Sequence, residues 1–318
     1  MATPLPVDVI VCTLDEEANL RTCLSSVAWA SRRFVVDAGS TDATVAVAAE
    51  CGAELVAHPW TGYSDQKNWA LDNLPLTAEW VLFLDADERV PEALADEIRR
   101  AVEEPAGDGA TGYYMARKMI FLGRWLRRTY WYPDYNLRLF QRGKGRFEAR
   151  LVHERVVLSG QAGYLKSPLV HEDMRDLSTY VSRLNRYSTL EAMEMHRRRD
   201  GRDGERFTGS WFGDPARRRR ALKESVWYRL PLRPTIRFVW TMIFRLGFLD
   251  GREGLIFTGL ACMNEWLANV KVYELRFRES AGSEHPPTPM PELSGYRRPG
   301  RTKGGPEAGQ TTSGPSTP

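Results

Sequence analysis

The stretch "WVLFLDADERV", Trp80 to Val90, decides the fold. Five apolar residues stand in succession and end on Asp85, with Asp87 and Glu88 close behind. Continuous apolarity, in place of alternation, marks a strand covered on both faces, as in parallel sheets flanked by helices. Pro91 suits the first turn of a following helix, with Leu94, Ile98 and Val102 as its buried stripe. Working back toward the N-terminus, the same unit recurs. Val7 to Cys12 reads as a strand, Asn19 to Trp29 as a helix, Arg33 to Val36 as a strand and Val45 to Cys51 as a helix stopped by Gly52. Glu54 to His58 and Asp65 to Leu74 supply the third strand and helix. This β-α alternation predicts an α/β fold with a doubly wound, mostly parallel sheet.

Beyond Gly112 the texture shifts to Gly-punctuated, aromatic strand-like pieces such as "YNLRLFQR" and "GYLKSPLVHE", which predict a mixed extension of the sheet. Helical spacing returns at Leu177, Tyr180, Val181, Leu184, Tyr187 and Met195, which fall on one face. Two more helical stretches follow, Pro234 to Phe248 and Gly254 to Leu275. The expected organisation is a catalytic domain over 1–175, divided near 110, then a basic amphipathic helical region over 176–278 and a disordered Pro, Gly, Ser and Thr rich tail over 279–318.

With 42% hydrophobic and 27% charged residues among 318, the chain is an ordinary globular protein. Four cysteines without C-x-x-C spacing read as free thiols in a reducing compartment. The N-terminus lacks a basic segment followed by a long apolar core, so a cytoplasmic location is expected. The net charge of +3 conceals an asymmetry: Arg175 to Arg245 holds 17 Lys plus Arg against 8 Asp plus Glu. An acidic catalytic half and a basic segment that meets something anionic follow from that split.

Ligands of open parallel sheets bind beyond the carboxyl ends of the strands. Four polar clusters fall there: Thr13 to Glu17, Asp37 to Asp42, Ser64 to Asn68 and Asp85 to Glu88. Carboxylates crowded at the end of an apolar strand repel one another, and a hard divalent cation, Mg²⁺ or Mn²⁺, among them would relieve this while leaving places for diphosphate oxygens. Helix capping by Asp87 and Glu88 is the plainer explanation, but it leaves Asp85 without a role.

Taken together, "CTLDEEANL", "VVDAGSTDAT", "QKNWAL" and "LFLDADERV" resemble the inverting family-two glycosyltransferases of the GT-A fold, in the same order over about the first hundred residues. "LVHERV", "LVHEDMRDLSTYVSRLNRYS" and "GFLDGREG" resemble the lipopolysaccharide core glucosyltransferase subfamily. The resemblance implies a UDP-sugar donor, a divalent cation and a lipid-linked or lipopolysaccharide-core glycan acceptor. It assigns Asp37 to the nucleotide base, Thr13 and Glu16 to the nucleoside side, Lys67 to the diphosphate or sugar, Asp85 to ribose or sugar, and Asp87 to the metal, with His171 completing the shell. Ala38 stands where many relatives carry a second aspartate, which puts in doubt a secondary ribose or base contact.

An inverting transfer needs a carboxylate base beside the acceptor hydroxyl. Glu154 of "LVHERV" is the expected catalytic base, with Glu172 and Asp173 as alternates; for an isolated glutamate, a surface pair with Arg150 or Arg155 is the ordinary alternative. The basic half interleaves Trp227, Tyr228, Phe238, Trp240, Ile243, Phe244 and Phe248 with Arg229, Arg233, Arg237 and Arg245, a composition suited to an anionic membrane surface and equally to a helical core with a solvated face. No nucleic-acid recognition motif accompanies its arginine runs. Two competing classes are a phosphoaspartyl hydrolase with Asp85 as nucleophile, disfavoured by Arg89 where Thr or Val is wanted, and a non-catalytic basic membrane adaptor.

Overall fold

A computed structural model describes residues 4–103, 109–148, 155–199 and 232–281. Its framework is four parallel strands: β1 (Leu5–Thr13), β2 (Ala30–Asp37), β3 (Glu54–Ala57) and β4 (Trp80–Asp85). They are ordered β3-β2-β1-β4, so the chain reverses direction of travel across the sheet between β1 and β4. The intervening helices are α1 (Glu17–Ser26), α2 (Thr44–Glu50) and α3 (Tyr63–Asn73). Side chains alternate between two cores. Val7, Val9, Val11, Leu82 and Leu84 pack with α1, α2 and the stripe Leu94, Ile98 and Val102 of α4 (Glu92–Glu103), whereas Ile10, Phe34, Val36, Val81 and Phe83 pack with Ala70 and Leu74 of α3. Burial on both faces is why β4 is apolar at successive positions.

The extension is mixed, as expected. β5 (Glu88–Arg89), β6 (Ala110–Phe121), β7 (Arg124–Trp125), β8 (Asp134–Gln141), β11 (Gln161–Tyr164) and β12 (Leu169–Glu172) complete the sheet, while β9 (Gly145–Phe147) and β10 (Val156–Leu158) form a separate hairpin. β8 runs antiparallel to β4, and β12 pairs with both β6 and the short β5. That last pairing sets His171 opposite Glu88.

After β12 come α5 (Leu177–Arg199), α6 (Arg233–Val239), a widened turn (Trp240–Phe244), a 3₁₀ turn (Gly247–Asp250) and the long α7 (Gly251–Ser280). One correction arises here. Pro234 to Phe248 is not one helix, because the path breaks at Leu246, whose φ of +57° lies in the left-handed region. In α5, Leu177 and Val181 are exposed, and the buried positions are Ser188, Leu190 and Ala192. Phe257 and Leu260 of α7 and Tyr180 of α5 pack with Met119, Phe121 and Leu126, fixing the helices to the sheet. No helix among the described residues is long and apolar enough to cross a membrane, and all four cysteines are free thiols.

Candidate active site

The carboxyl ends of β1 and β2 are knitted into one ledge. Asp37 is buried and spends both oxygens locally, accepting from the Thr13 hydroxyl at 3.1 Å and from the N–H groups of Gly39 and Ser40 at 3.0 and 2.9 Å. Gly39 adopts φ +100°, a conformation that suits glycine. The β1 loop is crosslinked to the same ledge: Asp15 N–H donates to Ser40 Oγ at 2.9 Å, Thr41 N–H to Asp15 at 2.8 Å and Glu16 N–H to Thr44 Oγ1 at 2.8 Å. Sequence reasoning gave Asp37 a ligand contact; the structure adds a role in shaping the loop.

Beside the ledge, β4 delivers the acids. Asp85 lies between Lys67 of α3, Nζ at 3.3 Å, and the guanidinium of Arg138 on β8. Arg138 also donates to Glu88 at 2.6 Å, and the other Glu88 oxygen accepts the Asp85 N–H at 3.0 Å. Burial alone would raise the Asp85 carboxyl, but Arg138 and Lys67 hold it well below the usual carboxylate range. Glu88, fully buried, is likewise lowered against its desolvation by Arg138.

Asp87 faces a different set of partners. One oxygen lies 3.5 Å from His171 Nδ1 and the other 3.3 Å from Arg183 of α5. Arg183 also reaches Asp173 at 2.8 Å; Asp173 is further gripped by Arg175 through two nitrogens, and Arg175 closes on Glu16 at 2.9 Å. Asn19 joins the ring, donating to Glu16 at 2.8 Å and Asp173 at 3.1 Å. Asp173 is lowered well beneath the carboxylate range; desolvation opposes this, and Arg175 and Arg183 outweigh it. Glu16 is the opposite case, pushed up to about 7 by burial and then by Asp87.

The structure thus brings Thr13, Glu16, Asp37, Lys67, Asp85, Asp87 and His171 to one end of the sheet. Glu154 and His153 lie outside the described residues. Of the alternate bases, Glu172 is paired to Arg89 at 2.5 Å and Asp173 is clamped by two arginines. Crowding among the acids is relieved by the chain's own Arg138, Lys67 and Arg183, so that part of the case for a cation does not stand. Arg138 and Arg183 escaped sequence reasoning. The available signal for Arg138 was a charge inside the otherwise apolar run "LRLF".

Among the described residues no three His, Cys, Asp or Glu side chains converge as a metal cage. The chain does offer a mixed oxygen and nitrogen pair. His171 Nδ1 is buried without a hydrogen-bond partner and faces an Asp87 oxygen, which fits a cation that takes its remaining ligands from water and phosphate.

A sheet with its direction switch between β1 and β4, acidic loops beyond both strands and a mixed extension is the arrangement expected of the GT-A fold. The chain belongs to glycosyl transferase family 2, whose family model matches residues 8–169. It is 32% identical over 199 residues to the lipopolysaccharide core biosynthesis glycosyltransferase LpsC of Rhizobium meliloti (strain 1021), covering 60% of this chain and 72% of that one. To the glycosyltransferase RT0209 of Rickettsia typhi it is 24% identical over 282 residues, covering 86% and 88%. Among solved structures, glucosyl-3-phosphoglycerate synthase from Mycobacterium tuberculosis, in complex with Mn²⁺, UDP and glucosyl-3-phosphoglycerate, is similar at 21% identity and a TM-score of 0.30. That likeness covers 36% of this chain and 44% of that one.

Proposed function

We propose that this enzyme transfers a sugar, with inversion, from a UDP-sugar to a lipid-linked or lipopolysaccharide-core glycan at the cytoplasmic face of a membrane. The observation that carries the donor half is the Asp87 and His171 pair beside the cation-braced Asp85, at the sheet's direction switch. The acceptor half is supported by the likeness to LpsC.

Each residue has a task within this proposal. Thr13, Glu16 and Asp37 form the wall for the nucleoside, with Asp37 reading the base. Lys67, within 3.3 Å of Asp85, offers positive charge to the diphosphate or the sugar, and Asp85 accepts from ribose or sugar hydroxyls. Asp87 and His171 hold Mg²⁺ or Mn²⁺. When bound, such an ion offsets the charge that grows on the departing diphosphate. Glu154 removes the acceptor hydroxyl's proton as the new glycosidic bond forms.

The test is a nucleotide-sugar panel scored for release of nucleoside diphosphate with Mn²⁺, with Mg²⁺ and with chelator, alongside calorimetry of donor uptake. Cation-dependent uptake of a UDP-sugar, lost in Asp87→Asn, is the expected result. Uptake that ignores both the cation and that substitution refutes the metal assignment, and silence across the panel refutes the donor class.

A further inference from the structure

The C-terminal elements present an apolar face that is exposed among the described residues. Trp240, Ile243, Phe244 and Phe248 are 48%, 60%, 67% and 60% exposed, and the Trp240 and Phe244 rings stack at 5.2 Å. Contiguous exposed aromatics of this kind mark an interaction surface. The connection between β6 and β8 is tied to the same face. Asp250 accepts from the N–H groups of Arg128 and Thr129 at 2.8 and 2.7 Å, and Arg124 donates to the Leu249 carbonyl at 3.2 Å. The tie adds Trp131, 44% exposed, whose ring lies under Arg237 at 5.9 Å and Arg245 at 5.2 Å. Trp125 lies under Lys118 at 4.9 Å and Arg127 at 5.6 Å.

Charge separates the possible partners. Arg127 and Arg245 lie over Trp125 and Trp131, and Arg124 and Arg128 are exposed on the same connection, while the acids on these elements are already engaged: Asp250 is buried in its three bonds, Glu253 lies 3.7 Å from Arg124, and Glu265 pairs with Arg237. Tryptophan and phenylalanine tips ringed by arginines match the boundary between acyl chains and anionic headgroups. We propose that this composite face, built from residues 124–131 and 237–252, docks the enzyme flat on an anionic lipid bilayer. It deepens the membrane-face reading above by assigning the contact to a surface that half belongs to the catalytic sheet.

A geometric consequence follows, which does rest on the donor-site reading. Trp131 stands seven residues before Arg138, which braces Asp85. Seven extended residues span at most about 25 Å. The reacting centre is therefore within about that distance of the lipid surface, and the acceptor sugar must be close to its lipid anchor.

Flotation of the full chain tests this, using phosphatidylglycerol–phosphatidylcholine vesicles against pure phosphatidylcholine at low and high salt, with UDP uptake measured on the same samples. The chain is expected on the anionic vesicles at low salt. Trp240→Ser/Phe244→Ser/Phe248→Ser should weaken partitioning about tenfold or more, since three apolar tips leave the interface. Arg127→Glu/Arg128→Glu, two fully surface changes, should remove the preference for anionic lipid. No retention on anionic vesicles overturns the proposal, as does retention unchanged in both variants. It is also overturned if the aromatic variant turns a dimer into a monomer while retention persists, because the face then belongs to a second copy. Retention without UDP uptake supports the docking surface and counts against the donor site.

Discussion

Arg138→Met asks whether the chain's own cations hold the acids together. Arg138 is buried and its guanidinium is shared by Asp85 and Glu88, the second at 2.6 Å. Asp85 keeps Lys67 at 3.3 Å and is partly open to water, so the loss falls mainly on the fully buried Glu88. Removing one partner of a buried pair costs about 3–5 kcal/mol, and the remaining lysine places this case near the lower end, about 3 kcal/mol. Against a total stability of about 5–15 kcal/mol, that shift is measurable by urea unfolding followed through tryptophan fluorescence. The pH dependence has a definite sign. Arg138 lowers both carboxyls in the folded state, so its contribution is present above their ordinary values of 3.8 and 4.5 and is lost as pH falls through the lowered folded ones. Wild type and variant should therefore differ most near neutral pH and converge only as the pH is taken below about 4. Adding Glu88→Gln should recover part of the loss, because a neutral amide no longer strands a charge. A penalty under about 1 kcal/mol at neutral pH, or one equal at both pH values, refutes the reasoning.

Two further outcomes are expected. Glu154→Gln should abolish transfer while UDP uptake measured by calorimetry stays at the wild-type level; near-normal turnover would reject it as the base. Glu16 is raised from 4.5 to about 7, so the folded state holds this proton more tightly than the unfolded chain, and that stabilisation is complete below about 4.5 and gone above about 7. In chelator, Glu16→Gln should accordingly gain on the wild type by up to about 3 kcal/mol between acidic and mildly alkaline pH, read from paired unfolding curves, and parallel curves would rule this out.

The sequence displayed the N-terminal half of the fold because β1, β4 and the end of β2 are sandwiched, and two-sided burial leaves an unbroken apolar signature that local reading detects. Asp85 and Asp87 stood out for the same reason, as charges that end such a run. Arg138 did not, since an arginine in a strand of the extension reads as solvent-facing unless the pairing of β8 with β4 is known. The approach of His171 to Asp87 likewise depends on β12 pairing with the two-residue β5, across more than eighty positions of sequence. Leu177 and Val181 are exposed on α5 although they share the helical period, because periodicity reports an amphipathic face without saying what the face meets.

Asn68 holds both backbone groups of Phe147, donating to its carbonyl at 2.9 Å and accepting its N–H at 3.0 Å, while Lys67 lies 5.3 Å over the Phe147 ring. The hairpin of β9 and β10 is thereby stapled to the helix turn that carries Lys67, and Glu154 belongs to the stretch of chain joining those two strands. The turn that carries Lys67 is accordingly held in place by a neighbour that never touches the lysine's ion pair, so a change at Asn68 would let Lys67 drift from Asp85 while leaving both charges intact.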